Sequence, residues 1–457
     1  MMMKSVKSQN SLIVNIDDSV FDNYTGLVYD IAQNYGIELL IVGGAPREIL
    51  LSRKPKDIDF LIIRGDANLI PMQLHKEHGF FYPVLFERFG TYRTGIKNKH
   101  DFEMEFIPIR GHTIEEDLLL RDFTINTLTM RRLSPYKYEI MDILGSGVNA
   151  LEQKVLKTPI EPEKTIKDDP LRIMRAVRFY CTHNMNLDPL LINASRKLSI
   201  LLGEVAMERI RDELFIILLT NAPSRGLLLM KELNILKIII PEILPMVGFD
   251  QRSPYHKDEL FTHSLLVMDN TPPRIETRLA ALFHDAGKPT SMQQTADKVT
   301  YYGHQDKSAE LFRTFAHRLK LPNHIAETTE LLIKRHMINY TSEWKDSTVK
   351  KFIKHNHDIL DQLLVLYRAD ASSLADPVKA LSMVDELTHR INQQKIEEIA
   401  KLESPLNGDE IQSLLNIPPG PKIGEIKKAI VDAILEGLIE PTKSAAEQFV
   451  RQTYASH

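Results

Sequence analysis

The stretch around Gly43 and Gly44 constrains the fold of this chain more than any other. The apolar run at residues 39–42 predicts a buried strand, and the two glycines predict a turn where no Cβ keeps a ligand away from the backbone. Residues 45–51 are apolar at helical spacing and have a proline at position 46, which suits a first helical turn. Residues 57–63 predict a second strand. Such a strand–turn–helix–strand unit predicts a mixed α/β domain.

Two aspartates at the start of this second strand predict a metal site. Asp57 and Asp59 are two positions apart, so they share one face of the strand, while Ile58 and Phe60 share the other. Neighbouring carboxylates repel each other, and Mg²⁺, which prefers oxygen ligands and binds phosphates, removes that cost. An isolated Asp-x-Asp is usually a pair of solvent-facing side chains. The glycine turn just upstream favours a triphosphate and metal site instead.

Length and composition bound the remaining possibilities. A chain of 457 residues is too long for one compact core, and its net charge of −4 means that any basic surface must be local. The single cysteine, Cys181, excludes a disulfide within the chain and suits a reducing compartment. No apolar run approaches the ~20 residues of a membrane span, and the first ten residues lack an apolar signal core. We therefore expect a cytoplasmic protein with no membrane segment.

The order of the predicted elements indicates an α+β chain with a mixed α/β head and an all-helical body. Strand patterns recur up to about residue 143, whereas long helical patterns dominate beyond residue 164. Residues 121–126 predict the opening of another amphipathic helix. The predicted segments are a loose leader at 1–22, the head at 23–160, a helical neck at 161–245, a second helical domain at 246–375 and a helical tail at 376–457.

An alternating strand later in the head offers a third carboxylate. Glu103 and Glu105 share one face of the predicted strand at residues 101–110, and either could lie beside Asp57 and Asp59. An exposed strand position is the competing interpretation for both glutamates. The pattern alone leaves the choice between them open.

The body carries a second constellation of metal-binding residue types. A His-Asp pair, His284-Asp285, ends an apolar helical run, with one histidine upstream and an aspartate far downstream. Single histidines are usually structural or exposed, but this grouping is different. The set comprises His263, His284, Asp285, His304, His336 and Asp370.

Several motifs in a fixed order resemble the bacterial class of CCA-adding enzymes and poly(A) polymerases, which are template-independent RNA nucleotidyltransferases. The resemblance covers nearly the whole chain. It implies a head of the polymerase-beta type. The motifs that carry it are Gly43-Gly44-x-x-Arg47, Asp57-Ile58-Asp59-Phe60, Glu105-Phe106-x-x-x-Arg110, Arg121-Asp122-Phe123-Thr124-Ile125-Asn126, Asp169-Pro170-Leu171-Arg172 and Glu208-Arg209-Ile210-x-x-Glu213.

The resemblance implies a role for each matched position of the head and neck. Asp57 and Asp59 would bridge two Mg²⁺ ions, and Glu105 would complete the carboxylate set, with Glu103 as the runner-up. The implied nucleotide-binding residues are Gly43, Gly44, Arg47, Arg121, Asp122, Asp169, Arg172, Arg175 and Arg178. The chain departs from the family in two places. The family turn usually ends in Val-Arg-Asp where this chain has Pro46-Arg47-Glu48, and a Glu-Asp pair is Asp168-Asp169 here.

Asp169 and Arg172 would serve as a protein template for the incoming base. At positions i and i+3 of a helix they would share one face. Cytosine and adenine each present an amino donor beside a ring acceptor, which a carboxylate and a guanidinium match; uracil and guanine present the reverse order. A surface ion pair is the competing interpretation.

The second constellation resembles the HD-type metal phosphohydrolases. His263, His284, Asp285 and Asp370 match the four metal positions of that pattern, and imidazole with carboxylate suits Ni²⁺, Mn²⁺ or Fe. His304 and His336 could bind a second metal or a phosphate. An HD fold retained for tRNA binding, with a weak metal site or none, is the alternative.

The sequence thus predicts an enzyme that builds or repairs the 3′-CCA end of tRNA from CTP and ATP and releases pyrophosphate, with a possible phosphohydrolase activity in the HD region. The tail would bind tRNA. An A-adding, CC-adding or poly(A) polymerase is the nearest alternative. An HD phosphohydrolase whose head only binds nucleotide is the alternative from another class, and a non-catalytic RNA-binding protein is a third.

Overall fold

The computed structural model describes residues 4–8, 11–87, 90–96, 103–252, 258–295 and 299–454. The chain divides into two compact units. The first contains Met1–Ile217 with Leu228–Ile239, and the second contains Leu218–Leu227 with Ile240–His457.

Strands are concentrated in the first unit. They are β1 (Lys4–Ser8), β2 (Ser11–Asn15), β3 (Glu38–Val42), β4 (Asp57–Arg64), β5 (Val84–Phe86), β6 (Thr91–Gly95), β7 (Glu103–Pro108), β8 (Thr129–Ser134), β9 (Lys137–Met141), β10 (Val155–Leu156), β11 (Asn186–Leu187), β12 (Gln293–Gln294) and β13 (Val299–Thr300).

Helices account for most of the rest. In the first half of the chain they are α1 (Ser19–Tyr35), α2 (Gly44–Leu50), α3 (Leu69–His78), α4 (Ile114–Leu119), α5 (Gly147–Gln153), α6 (Pro162–Asp168), α7 (Arg172–His183), α8 (Pro189–Leu198), α9 (Met207–Leu218), α10 (Pro223–Glu232) and α11 (Leu236–Ile239). In the second half they are α12 (Leu260–Asp269), α13 (Ile275–Phe283), α14 (Lys288–Ser291), α15 (His304–Arg318), α16 (Asn323–Arg335), α17 (Asp346–Asn356), α18 (Leu360–Ser372), α19 (Pro377–Asn392), α20 (Ile396–Lys401), α21 (Gly408–Leu415), α22 (Pro421–Leu435) and α23 (Lys443–Tyr454).

A nine-stranded sheet organises the first unit. Its strand order is β1-β2-β9-β8-β3-β4-β7-β6-β5, with β4 and β7 parallel and the other neighbours antiparallel. One face packs under α1 and α3 because alternate residues such as Ile58, Phe60 and Phe106 are fully buried there. The Phe60 and Phe106 rings stack with their centroids 5.2 Å apart across the parallel pair. This packing turns the intervening residues of β4 and β7 toward the other face.

The prediction of a loose leader over residues 1–22 is wrong for most of the segment. β2 pairs with β9, with Val14 fully buried, and α1 already begins at Ser19. Asp18 caps α1 by accepting hydrogen bonds from the N–H groups of Val20 and Phe21. The segment escaped notice because a five-residue strand with a distant partner leaves little local signal.

The predicted helix opening at residues 121–126 is also wrong. The structure forms only a 3₁₀ turn at Thr124–Asn126, and β8 begins three residues later at Thr129. The Asp122 side chain accepts hydrogen bonds from the Phe123 N–H and the Asn126 amide, both at 2.8 Å, which satisfies the local donors without a helix.

The second unit is helical, as predicted. Among its described residues the only strands are the short pair β12 and β13. The structure therefore confirms the α+β class, with a mixed α/β head and a helical body. No helix within the described ranges is long and apolar enough to cross a membrane.

Candidate active site and metal centre

The strand register brings the predicted carboxylates of the head together. In the parallel pairing of β4 with β7, Asp57 lies opposite Glu103 and Asp59 lies opposite Glu105. All four project from the face of the sheet opposite the apolar core. The pair nearest the middle of the sheet is therefore Asp59 and Glu105, which favours Glu105 over Glu103 as the third carboxylate.

The glycine turn encloses Asp59. Gly43 has φ +72°, a conformation that glycine adopts without strain, and a Cβ built on it would lie 2.5 Å from Asp59 Oδ2. A Cβ on Gly44 would lie 3.7 Å from Asp57 Oδ1. The residue at position 43 must consequently be glycine for the turn to approach the aspartate this closely.

The electrostatics of Asp59 suit a bound cation. Burial, the Glu105 carboxylate and the Asp57 carboxylate raise the pKa of Asp59 to about 7, against an ordinary value of 3.8. A divalent cation would reverse that penalty, since it favours the ionised carboxylate. Asp57, Asp59 and Glu105 thus supply the hard oxygen donors that Mg²⁺ prefers. Within the described residues, however, groups of three ligand atoms that lie within 4.8 Å of one another occur only in the second unit, so the oxygen atoms of these three carboxylates are farther apart than that.

Arg93 on β6 pairs with the third carboxylate. It lies opposite Glu105 in the antiparallel register, and its Nε and Nη2 donate to Glu105 Oε1 at 2.8 and 2.5 Å. Its guanidinium also lies over the ring of Phe86, 4.8 Å from the centroid. Both donors use the same oxygen, so Glu105 Oε2 is left outside this pair.

Arg47 on α2 is buried in an internal network. Its Nε and Nη2 donate to Glu48 Oε1, its Nη1 donates to Asn126 Oδ1, and its guanidinium packs on the Phe179 ring at 5.0 Å. Glu48 also accepts from His183 Nε2 at 2.9 Å. Burial alone would raise the pKa of Glu48, but the hydrogen bonds from His183 and Arg47 lower it to about 2. The carboxylate is therefore ionised and holds Arg47 beside the glycine turn.

A cavity of about 470 Å³ opens next to Glu105. It is lined by both acidic and basic side chains, which suits a polar ligand with a charged end. The lining residues are Thr91, Glu105, Ile107, Arg110, Leu120, Arg121, Asp122, Asp168, Asp169, Arg172, Arg175 and Arg209.

Asp169 and Arg172 both line this cavity, but they are not on one helix. α7 begins at Arg172, and Asp169 precedes it with an extended backbone, φ −146°. Its Oδ1 accepts from the Leu171 N–H at 3.2 Å, as a residue ahead of a helix does. The expectation of an i, i+3 helical pair is therefore wrong, because Pro170 interrupts the helical hydrogen bonds between α6 and α7. The cavity nevertheless brings the two side chains to one wall.

Each member of this pair has another partner in the structure. Asp169 accepts from Arg209 Nη2 at 2.8 Å. Arg172 pairs with Asp168 at 3.0 Å and donates to the carbonyl oxygens of Thr165 and Leu120. The carbonyl bonds fix the guanidinium plane of Arg172 at the cavity wall, so its position does not depend on Asp169.

The remaining predicted nucleotide-binding residues form ion pairs with each other or with neighbouring carboxylates. Arg175 donates two hydrogen bonds to Asp122 Oδ2, at 2.6 and 2.9 Å. Burial alone would raise the pKa of Asp122, but Arg175 and Asn126 lower it below its usual range. Arg178 donates to Glu213 at 3.0 Å. Arg121 pairs with the fully buried Asp117 at 3.1 Å. The predicted binding residues thus form a rigid, charge-balanced wall.

The second unit assembles the six predicted metal-binding side chains. Asp285 belongs to two groups of three residues, and in each group the ligand atoms lie within 4.8 Å of one another. One group adds His263 and His284, and the other adds His304 and His336. Asp370 Oδ1 lies 3.1 Å from His263 Nε2 and 4.0 Å from His284 Nε2. The sequence interpretation therefore identified residues that the fold does bring together.

Backbone carbonyls orient three of these histidines. The Nδ1 atoms of His284, His304 and His336 lie 2.7–2.8 Å from carbonyl oxygens three residues earlier, so each Nε2 faces the cluster. Burial and His284 lower the pKa of His336 to about 4, which keeps its imidazole neutral at pH 7. Imidazoles oriented in this way beside the Asp285 carboxylate fit a transition metal.

The sequence predicted no role for four residues that lie beside the candidate active site: Arg93, Arg110, Arg209 and His183. Arg110 and Arg209 stand inside the recognised motifs, so the signal was present. Arg93 and His183 reach the site through strand register and through the end of α7, and no local pattern marks either.

Three protein-family descriptions match the chain. The poly A polymerase head domain matches residues 39–157, the probable RNA and SrmB-binding site of polymerase A matches residues 184–246, and the HD domain matches residues 260–375. The sheet, the helical neck and the histidine cluster therefore each correspond to a known kind of domain.

Full-length relatives place these domains in one kind of protein. The A-adding tRNA nucleotidyltransferase of Deinococcus radiodurans is 30% identical over 438 residues, covering 90% of this chain and 94% of its own. This chain belongs to the tRNA nucleotidyltransferase and poly(A) polymerase family.

Other comparisons agree with this membership. The CC-adding tRNA nucleotidyltransferase of Thermus thermophilus is 28% identical, with 90% of this chain and 92% of its own covered. The crystal structure of the Bacillus stearothermophilus CCA-adding enzyme in complex with CTP has the same fold, with a TM-score of 0.67, 21% identity and coverage of 95% and 98%.

Proposed function

We propose that this protein adds or repairs the 3′-terminal CCA of tRNA, using CTP and ATP with Mg²⁺ and releasing pyrophosphate. The observation that carries the proposal is the single cavity that joins the third carboxylate, Glu105, to the base-selecting candidates Asp169 and Arg172. A nucleotide bound there would have its phosphates near the carboxylates and its base near the neck.

The side chains have distinct tasks in this reaction. Asp57, Asp59 and Glu105 would hold Mg²⁺, which stabilises charge on the attacking 3′-oxygen and on the departing pyrophosphate. The glycine turn lets the triphosphate approach the backbone, and Arg47 supplies positive charge beside it. Asp169 accepts a hydrogen bond from the amino group of cytosine or adenine, and Arg172 donates a hydrogen bond to the ring nitrogen.

The decisive assay uses tRNA ending before the first C, after CC and after the complete CCA, each with one labelled nucleotide at a time. Full CCA addition predicts CTP incorporation on the first substrate and ATP incorporation on the second. Because two relatives are an A-adding and a CC-adding enzyme, a narrower output is the second candidate. Incorporation on only one substrate would establish it.

The cluster of histidine and aspartate side chains in the second unit supports a second activity of the same chain. We propose that the HD domain hydrolyses phosphate esters such as phosphorylated RNA ends or 2′,3′-cyclic phosphates. Asp285 stands between two histidine pairs, and Lys288 donates to it at 2.6 Å. A transition metal held here, Ni²⁺, Mn²⁺ or Fe, would activate water for attack on phosphorus.

The double variant His284→Ala/Asp285→Ala is expected to lose bound transition metal and phosphohydrolase activity while retaining nucleotide addition. The carboxylate of Asp285 belongs to both ligand groups, so its loss removes a donor from each. Metal content by plasma mass spectrometry and hydrolysis of 2′,3′-cyclic AMP measure the effect. Hydrolysis at the wild-type rate by the double variant would remove the HD hypothesis, and loss of nucleotide addition by a folded variant would contradict the independence of the two sites.

The tail is proposed to bind tRNA through a basic groove. A cavity of about 660 Å³ lies between α17 and α22 and is lined by Lys351, Lys354, Lys427 and Lys428. Lys351 pairs with Glu436 at 2.6 Å, but no ion pair of the described residues involves Lys427 or Lys428. Glu403 and Asp432 also line the groove, but neither forms an ion pair with Lys427 or Lys428 in the described residues, and two such ammonium groups suit the phosphates of an RNA backbone.

Lys427→Glu/Lys428→Glu is expected to weaken tRNA binding at least about tenfold and to reduce the slope of log Kd against log salt by roughly 1.5–2, since two phosphate contacts are lost. The matched control is Lys395→Glu/Lys401→Glu, which makes the same charge change at lysines already paired with Glu398 and Glu397. Filter binding at several salt concentrations gives both quantities. Equal effects of the two variants would mean that net charge, not the groove, determines binding.

A further inference from the structure

His183 closes a chain of partly buried hydrogen bonds between the glycine turn and the helix that carries Arg172. It lies at the end of α7, and its Nε2 is 2.9 Å from Glu48 Oε1. That oxygen also accepts from Nε and Nη2 of Arg47 at 2.9 and 2.7 Å. We propose that His183 is a positioning residue for nucleotide binding, which fixes Glu48 and through it the guanidinium of Arg47. The inference rests on the proposed function, in which Arg47 faces the triphosphate.

The surroundings leave Arg47 one orientation while the chain of bonds is intact. Asn126 accepts a hydrogen bond from its Nη1, and its Cζ lies over the Phe179 ring, 5.0 Å from the ring centroid. The same ring lies 5.2 Å from the His183 imidazole, so both ends of the chain pack on one aromatic side chain. Gly44 completes the enclosure, since a Cβ there would lie 3.5 Å from Arg47 Nη2. An arginine held in this way loses little further freedom when it binds phosphate.

His183 also accounts for the glutamate at position 48, where the resembled family has aspartate. The additional methylene lets one carboxylate oxygen reach Arg47 on its own helix and His183 on α7. Both partners are largely buried, with 17% of the Glu48 and 11% of the His183 side chain exposed. Without the His183 donor, the Glu48 carboxylate keeps its two hydrogen bonds from Arg47 and the Arg53 guanidinium 4.0 Å away, so it is held less firmly and supports Arg47 less well.

The test is CTP binding by the full-length protein without RNA, measured by calorimetry, together with steady-state addition to tRNA. His183→Ala is expected to raise the Kd for CTP and the KM for CTP and ATP about tenfold. The kcat and the Mg²⁺ concentration for half-maximal rate should stay within about threefold of wild type. His183→Gln retains an N–H donor near the Nε2 position and should restore most of the affinity. His75→Ala is the matched control, because His75 lies in the last turn of α3 and, among the described residues, hydrogen-bonds to the Phe80 carbonyl and not to the nucleotide site.

A double-mutant cycle separates positioning from general destabilisation. Glu48→Asp shortens the carboxylate, so adding His183→Ala to it should change the Kd for CTP by less than about twofold. Wild-type CTP affinity in His183→Ala, equal effects of His183→Ala and His75→Ala, or no rescue by His183→Gln would each overturn the proposal. If the wild-type protein binds CTP but adds nothing to tRNA, the proposed function fails while the CTP affinities still decide the role of His183.

Discussion

Asp57→Ala and Asp59→Ala are each expected to reduce nucleotide addition about a thousandfold or more, which corresponds to roughly 4 kcal/mol of transition-state stabilisation. The reason is that both carboxylates stand on one face of β4, with Asp59 opposite Glu105 in the register and enclosed by Gly43. Single-turnover incorporation of labelled CTP on tRNA ending before the first C measures the effect. Binding of tRNA should remain within about threefold of wild type, since holding Mg²⁺ and docking RNA are separate tasks.

A matched stability measurement shows that the loss is not caused by unfolding. The pKa of Asp59 is raised in the folded state to about 7 from an ordinary 3.8. The ionised side chain therefore destabilises the folded protein as the pH rises through that interval, and the penalty is fully present above pH 7. In EDTA at pH 8, Asp59→Asn should consequently have a Tm equal to or higher than wild type. Addition at the wild-type rate, or a lower Tm in EDTA, would show that the metal-site assignment is wrong.

Asp169→Ala is expected to lower the preference for CTP over UTP at least about tenfold, because in the proposed function the carboxylate would match the cytosine amino group and repel the uracil carbonyl. Arg172→Ala should reduce kcat/KM for both CTP and ATP, since each base presents a ring acceptor to it. The two residues line one cavity, and Arg172 is fixed by the carbonyls of Thr165 and Leu120. The measurement is kcat/KM for all four triphosphates on tRNA ending before the first C.

Asp168→Ala is the control for this selection. Asp168 is the adjacent acid and pairs with Arg172 at 3.0 Å, but 59% of its side chain is exposed. Its removal should leave the ratio of CTP to UTP within about twofold of wild type, because an exposed ion pair contributes little. If Asp169→Ala and Arg172→Ala keep the wild-type ratio, or if Asp168→Ala changes it equally, the choice of base depends on other residues.

The sequence predicted the features of this chain that depend on local pattern. Alternation placed Asp57 and Asp59 on one face of a strand, and the apolar run before His284 ended as a helix at Phe283. The division into an α/β head and a helical body followed from the change of period near residue 164. These features are set by neighbours within a few positions, which a sequence displays directly.

Features that depend on distant partners were missed. The strand at Ser11–Asn15 owes its existence to β9, and Arg93 meets Glu105 only because β6 and β7 pair in that register. The helical pairing of Asp169 with Arg172 failed for another reason. Pro170 favours a break between helices, and that local effect outweighed the apparent i, i+3 spacing.

β2 pairs with its neighbour in the chain, β1, and with the distant strand β9. Ser11 faces Met141 in the sheet, so its partner emerges from the ribosome on the order of ten seconds later, at typical rates of about 5–20 residues per second. During that interval β2 can pair with β1 on one edge, but the backbone donors and acceptors of the edge that will face β9 are open to any other extended segment. We therefore expect strand exchange between nascent chains at this edge of the head rather than in the helical unit, since helices form from local contacts.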